Sequence, residues 1–223
     1  MTYEGIRLRI LKIIRTKLAN SKRKQLTNKD FTIISNNCWA GMIYESYNLQ
    51  KNTPTIGLYF FASDYIKFLK NLKENVNKKI EFISPQESKW YEYIKNDKKI
   101  GQYPIGKIDD IEIFFLHYKN EKEVIDKWSR RVKRINWDNL LVKFNDQNLC
   151  KEKDMKEFLE LPFENKLFFT VKDWDTDGYL KFKQPFEKKF IKASYEPFYK
   201  NSKINITTYL NNLKKEQKNE KRK

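Results

Sequence analysis

Short apolar runs in this chain trade places with longer segments whose apolar residues recur every three or four positions, and that alternation constrains the fold more than any other feature. It is the signature of βα units wound around a mainly parallel sheet. Phe31 to Ile34 predicts a strand and Trp39 to Tyr47 a helix. Ile56 to Phe61 predicts a second strand, and Asp64 to Val76 a helix that turns Ile66, Leu69, Leu72 and Val76 inward. The stretch from Ile80 to Gly106, broken by Pro85 and Pro104, is less regular. Beyond it Ile111 to Leu116 predicts a buried strand, Glu121 to Ile135 a helix, Leu140 to Phe144 a strand, Asp154 to Leu161 a helix and Leu167 to Thr170 a strand. The expectation is one α/β domain over residues 31–203, with helices flanking a Rossmann-like, mainly parallel sheet of about five or more strands. Residues 1–30 read as a basic amphipathic helix with a polar connector, and 204–223 as a terminal helix fraying into a charged tail.

A formal charge of +17 invites a nucleic-acid reading, so its distribution matters. Residues 1–30 hold nine Lys/Arg against two acids, and residues 214–223 hold six against two. The excess therefore sits at the ends rather than in a groove with stacking aromatics, and no nucleic-acid partner is expected. From Gly5 to Leu18, Ile6, Ile10, Leu11, Ile13, Ile14 and Leu18 share one helical arc, with Arg9, Lys12 and Arg15 on the other. Three readings follow: a helix capping the core, an interfacial helix making peripheral contact with a membrane, or a helix that meets a partner helix. No run approaches the roughly 20 apolar residues of a spanning helix, and a cytoplasmic location is the expectation. Cys38 and Cys150 lie far apart and read as thiols.

In open α/β sheets ligands gather outside the carboxyl ends of the strands. Ser35, Asn36, Asn37 and Cys38 follow the first strand and open a helix, where side chains and free backbone N–H groups suit a phosphate; ordinary capping explains the same letters. A helix N-terminus also lowers a thiol pKa, which makes Cys38 a candidate nucleophile. Asp64 follows the second strand, and His117, the single histidine, follows the strand Ile111 to Leu116; both are candidate general bases. Arg130, Arg131 and Arg134 share an arc of the next helix and form a candidate diphosphate grip, although Glu123 and Asp126 stand four residues before Lys127 and Arg130 and suit plain helix ion pairs. Asp173-Trp174-Asp175 reads as an acidic turn, and no metal site or cofactor is expected. No P-loop, G-x-G-x-x-G or G-x-S-x-G is present.

Several segments occur in a characteristic order: Ile34-Ser35-Asn36-Asn37-Cys38-Trp39, Pro54-Thr55-Ile56-Gly57-Leu58, Asp64-Tyr65-Ile66-Lys67-Phe68-Leu69 and Tyr103-Pro104-Ile105-Gly106. Asp110-Ile111-Glu112-Ile113, Leu116-His117-Tyr118, Trp128 with Arg130-Arg131, Arg134 through Leu140, and Leu161-Pro162-Phe163 complete the set. From Phe31 to Thr170 the chain resembles the bacterial family catalogued as domain of unknown function 1919, described as exopolysaccharide or capsule biosynthesis proteins. Ala40 stands where the pattern has a second glycine beside Gly41. The resemblance implies a layered α/β architecture and a pathway, and brings no catalytic residues. The expectation is a glycosyltransferase-like transferase whose donor is a sugar nucleotide or a lipid-phosphate-linked sugar. The alternative is a non-catalytic sugar-nucleotide-binding or scaffold protein, and a third reading is a thiol enzyme built on Cys38.

Overall fold

The computed structural model of the protein describes residues 3–185 and 189–214. Its centre is β5 (Leu140–Asn145), six consecutive buried residues. β1 (Thr32–Ser35) pairs parallel on one side of it and β6 (Lys166–Thr170) on the other, with β7 (Leu180–Lys181) beyond β6. Side chains alternate across this sheet, as strand geometry requires. Ile34, Val142, Phe144 and Phe168 face one apolar cluster, while Ile33, Leu141, Leu167 and Phe169 face another. α2 (Trp39–Ser46) and α8 (Ile206–Asn211) supply the second cluster. α3 (Ala62–Lys70), α6 (Glu121–Val132) and α7 (Glu152–Glu160) supply the first. The result is an α/β architecture with helices on both faces of a parallel sheet.

The parallel sheet has four strands, and the reason lies in two apolar runs that behave otherwise. Ile111 to Leu116 becomes β4 (Ile111–Phe114), which pairs antiparallel with β3 (Ile105–Ile108), itself paired with β2 (Glu81–Ile83). Only Asp109 and Asp110 separate β3 from β4, and Asp109 adopts φ +52°, so the connection is a tight hairpin with no room for a crossover. Lys78 and Lys67 pair with Asp109 and Asp110 at its tip. Ile56 to Phe61 is extended but not a strand: Tyr59 meets Phe114 in a single bridge. Gly57 at φ +70° breaks the pleat before a ladder forms. The expected helix from Asp64 to Val76 divides at Asn71 into α3 and the short α4 (Leu72–Asn75). α5 (Tyr91–Ile94) and α1 (Tyr3–Lys24) complete the helices, with α1 lying against α2. The charged tail of 215–223 lies outside the described residues, but α8 is part of the core, since Ile206 and Leu210 are fully buried.

Candidate functional site

β1 and β5 run side by side, so the loops at their carboxyl ends meet. Asn36 Nδ2 donates to Asn145 Oδ1 at 2.7 Å. Inside β5, Lys143 interrupts an otherwise apolar strand and sends its ammonium to this end of the sheet. There it pairs with Glu196 and donates to Oδ1 of Asn37 (3.2 Å) and Asn36 (3.5 Å). Glu196 also accepts from Asn145 Nδ2 at 2.6 Å and Asn37 Nδ2 at 3.3 Å. Neither side chain of the ion pair has any exposure. Burial pushes the Lys143 ammonium down and the Glu196 carboxyl up, and their mutual attraction opposes both movements. Where the sequence predicts a donor phosphate between Ser35, Asn36, Asn37 and the start of α2, the protein places its own carboxylate.

Local capping follows the same pattern. Asn37 Oδ1 accepts from Trp39 N at 3.0 Å and from Ser35 Oγ at 3.2 Å, so both residues serve the helix start. Cys38 is half-buried, and its Sγ points to the Leu58 carbonyl at 3.9 Å. Burial, then the Glu196 carboxylate, push this thiol up to about 11, with Lys143 opposing. The expected thiolate activation is reversed chiefly because the thiol is desolvated, and secondarily because a carboxylate lies near it. Asp146, the next residue of the rim, accepts from Thr170 Oγ1 (2.5 Å), Val171 N (3.1 Å) and Ile191 N (2.6 Å), tying β6 and the C-terminal segment to β5.

The two candidate bases do not come together. Asp64 is fully buried in the first turn of α3, where it accepts from Lys89 Nζ (2.6 Å), Trp90 Nε1 (2.7 Å) and Glu112 N (3.2 Å). These bonds fasten α3 to the hairpin sheet and take three of the carboxylate's roughly four acceptor positions. Asp173 of the acidic turn pairs with Lys181. His117 lies three residues past the end of β4, exposed, and its backbone N–H donates to Gly57 O at 2.9 Å. A Cβ on Gly57 would stand 3.1 Å from the His117 Cβ, so the glycine lets the backbone approach. Partial desolvation, then Lys99, push the imidazole below its ordinary 6.5. It is therefore neutral near pH 7 and able to accept a proton.

The arginines of α6 and of the turn after it, where the predicted helix to Ile135 stops short at Val132, separate. Arg130 is exposed and Arg134 half-buried, whereas Arg131 turns inward and is only 7% exposed. Lys127 takes the predicted helix ion pair with Glu123. Arg131 Nη1 donates to Tyr118 Oη at 2.7 Å, and that hydroxyl donates to Ile56 O at 2.7 Å. Among the described residues the rest of this guanidinium finds no acceptor and no carboxylate, and it is not sealed from solvent. Lys127 Nζ stands 5.3 Å over the Tyr118 ring. The Lys51 ammonium is pushed down by partial burial and then by Arg131 and Lys127. Arg131 and Lys51 therefore place positive charge near Tyr118, with the Lys127–Glu123 pair at its ring and His117 packed against the adjoining Gly57. Sequence reasoning missed Lys143, Glu196, Lys51 and the role of Gly57. Of these only Lys143 carried a signal, as a lone cation inside an apolar strand.

A family model described as "Domain of unknown function (DUF1919)" matches residues 9–214. A Haemophilus influenzae protein whose printed name is "Uncharacterized protein" is 32% identical over 167 residues, covering 75% of this chain and 74% of its own length.

Proposed function

This chain belongs to the family of domain of unknown function 1919, and we propose that it is a cytoplasmic transferase of exopolysaccharide or capsule assembly that takes a sugar from a phosphate-linked donor. One observation carries the reading: Arg131 is a nearly buried guanidinium that, among the described residues, has no carboxylate partner and feels the charge of Lys51 nearby. Its N–H groups not bonded to Tyr118 reach solvent and are open to a ligand. An anionic ligand with planar oxygens, such as the diphosphate of a sugar nucleotide or of a lipid-linked sugar, fits a guanidinium fork.

In the proposed reaction an acceptor hydroxyl oxygen bonds to the anomeric carbon of the sugar while the bond from that carbon to the donor phosphate oxygen breaks. The electron pair leaves on the phosphate, where Arg131 and Lys51 offset the charge. The hydroxyl proton passes to the imidazole of His117. Arg130 and Arg134 lie at the outer edge of this cationic face and are assigned no contact with the transferred group.

Thermal melting with nucleoside diphosphates, sugar nucleotides and polyprenyl-phosphate mimics tests the donor site. At a hundredfold excess over Kd the right class raises Tm by roughly 5–10 °C. Arg131→Gln is expected to abolish that rise, and Arg131→Lys to keep part of it. A rise that survives Arg131→Gln, or no rise with any donor, overturns the reading.

A second reading, a non-catalytic sugar-nucleotide-binding or scaffold protein, is favoured by one fact. The carboxylates of Asp64, Asp146 and Glu196 are all engaged in the protein's own hydrogen bonds, which leaves His117 as the one candidate base put forward here. His117→Gln separates the two: lost transfer with retained binding supports the enzyme, and a wild type that binds without ever transferring supports the scaffold.

A further inference from the structure

The 22-residue helix α1 is held to the protein through three of its basic side chains. Arg15, 6% exposed, donates from Nε and Nη2 to Glu45 of α2 at 3.2 and 3.0 Å, and its guanidinium lies 5.5 Å from the Phe198 ring. Arg7 lies 3.6 Å over the ring of Tyr195, and Lys22 lies 5.1 Å over that of Tyr199. The apolar side is left outside. Tyr3, Ile6, Ile10, Ile13, Ile14 and Leu18 are exposed by between 39% (Ile14) and 67% (Tyr3). At 100° per residue these six occupy an arc of roughly 140°, into which Arg7 and the exposed Lys17 also fall. A helix that buries arginine and exposes isoleucine has the wrong polarity for water. The core-capping alternative does not apply to this arc, since its residues cover no core.

Charge identifies what would cover the stripe. α1 carries eight Lys/Arg and one acid, Glu4, and Arg9, Lys12, Lys17 and Lys24 are exposed. Pairing two copies of such a helix along the stripe would bring like charges together. An apolar layer edged with negative charge is instead the interface of an anionic bilayer, with isoleucines among the acyl chains and lysines at the headgroups. No helix among the described residues is long and apolar enough to cross a membrane, so α1 would lie in the plane of the surface. We propose that α1 is an in-plane anchor that holds the protein on an anionic leaflet through this stripe. The anchor stands independently of the donor site on Arg131.

The test is flotation of the full chain with vesicles of phosphatidylcholine alone or mixed with phosphatidylglycerol. Wild type, Ile10→Glu/Ile13→Glu and the milder Ile10→Ser/Ile13→Ser are compared, and each is melted and sedimented without lipid. Because neither isoleucine packs on the protein, the melting temperature is expected to stay within a degree or two of wild type. Wild type should float with the anionic vesicles and much less with the neutral ones. The Glu variant should lose roughly tenfold or more in partitioning, with the Ser variant in between. Flotation unchanged by either variant, or absent with both vesicles, overturns the anchor. A lipid-free dimer that the Glu variant dissociates also overturns it and assigns the stripe to a second copy of the chain.

Discussion

The Lys143–Glu196 pair sits where α/β sheets usually receive ligands, and it has no exposure. A buried ion pair is held by its own attraction and by the hydrogen bonds around it, so removing one member strands the other. Lys143→Met is expected to cost about 3–5 kcal/mol in urea unfolding, and Lys143→Met with Glu196→Leu to recover most of that loss. Additive costs in the double variant would mean that the two side chains act separately. Half of this pair was legible in the sequence, because a lysine between Val142 and Phe144 has no place in an apolar strand unless it is paired. Its partner was not, since no periodicity connects positions 53 residues apart. His117 gives a second test at this scale. Folding lowers its pKa below 6.5, so the unfolded chain takes the proton more readily. The stability contributed by the neutral imidazole is therefore complete above about pH 6.5 and falls as the pH drops toward the folded value. His117→Gln should remove that part of the acid slope. By NMR the imidazole resonance of this single histidine should titrate below 6.5, and a bound phosphate donor should move its midpoint upward. A midpoint at or above 6.5 in the free protein would contradict the packing against Gly57.

Among the elements, the strands and helices of the parallel half were readable because burial there follows the periods of two and 3.6. β1, β5, β6, α2, α6 and α7 fall within a few residues of their predicted bounds. The failures share one cause. β4 is buried on both faces, as the apolar run suggested, yet that pattern does not distinguish a central parallel strand from a hairpin strand covered by a helix on one side and aromatics on the other. Phe61, Ile94, Tyr103, Ile105 and Phe114 form that second cover, with Trp90 stacked 4.2 Å from Phe61. The decisive signal was the two-residue Asp109-Asp110 connection, too short for any crossover. Gly106 tests how tightly this hairpin sheet is packed. A Cβ there would stand 2.6 Å from Ile80 Cγ2 and 2.7 Å from Phe115 Cε2. Phe115 is itself wedged edge-on against Tyr118 and Trp128. Gly106→Ala is therefore expected to lower stability by about 1–3 kcal/mol, measured by thermal or chemical unfolding. An unchanged midpoint would show that the aromatic cluster yields more easily than its geometry implies. Through Tyr118, a displaced Phe115 should also weaken donor binding at Arg131 in the Gly106→Ala variant.

Over the whole molecule, the segment from 189 to 214 closes the structure rather than trailing from it. The helix-and-tail expectation for 204–223 was drawn from charge, and charge does not reveal that Ile206 and Leu210 are seated beneath the sheet. Ile191 N donates to Asp146, Glu196 neutralises Lys143, and the Trp39 indole donates to Pro197 O at 2.7 Å, all at the carboxyl end of the strands. Farther along, Tyr47 Oη meets Thr207 Oγ1 at 2.9 Å, and Asn165 Nδ2 donates to Lys214 O at 2.8 Å. A chain ending at Gln184 would uncover the Lys143 ammonium and lose the buried side chains of Ile191, Ile206 and Leu210, each worth about 2 kcal/mol of apolar burial. With the stranded charge added, that loss rivals the roughly 5–15 kcal/mol margin of an ordinary domain. The shortened chain is thus expected to keep far-UV circular dichroism while losing its near-UV signal, to bind the dye ANS, and to melt without a cooperative transition. A chain ending at Lys214 retains every contact named here and should melt with the full-length protein. If the chain ending at Gln184 instead melts cooperatively within a few degrees of wild type, then the C-terminal segment is a cover laid on a finished sheet. Glu196 would in that case be free to leave Lys143, and the carboxyl end of the sheet would regain its claim as the ligand site.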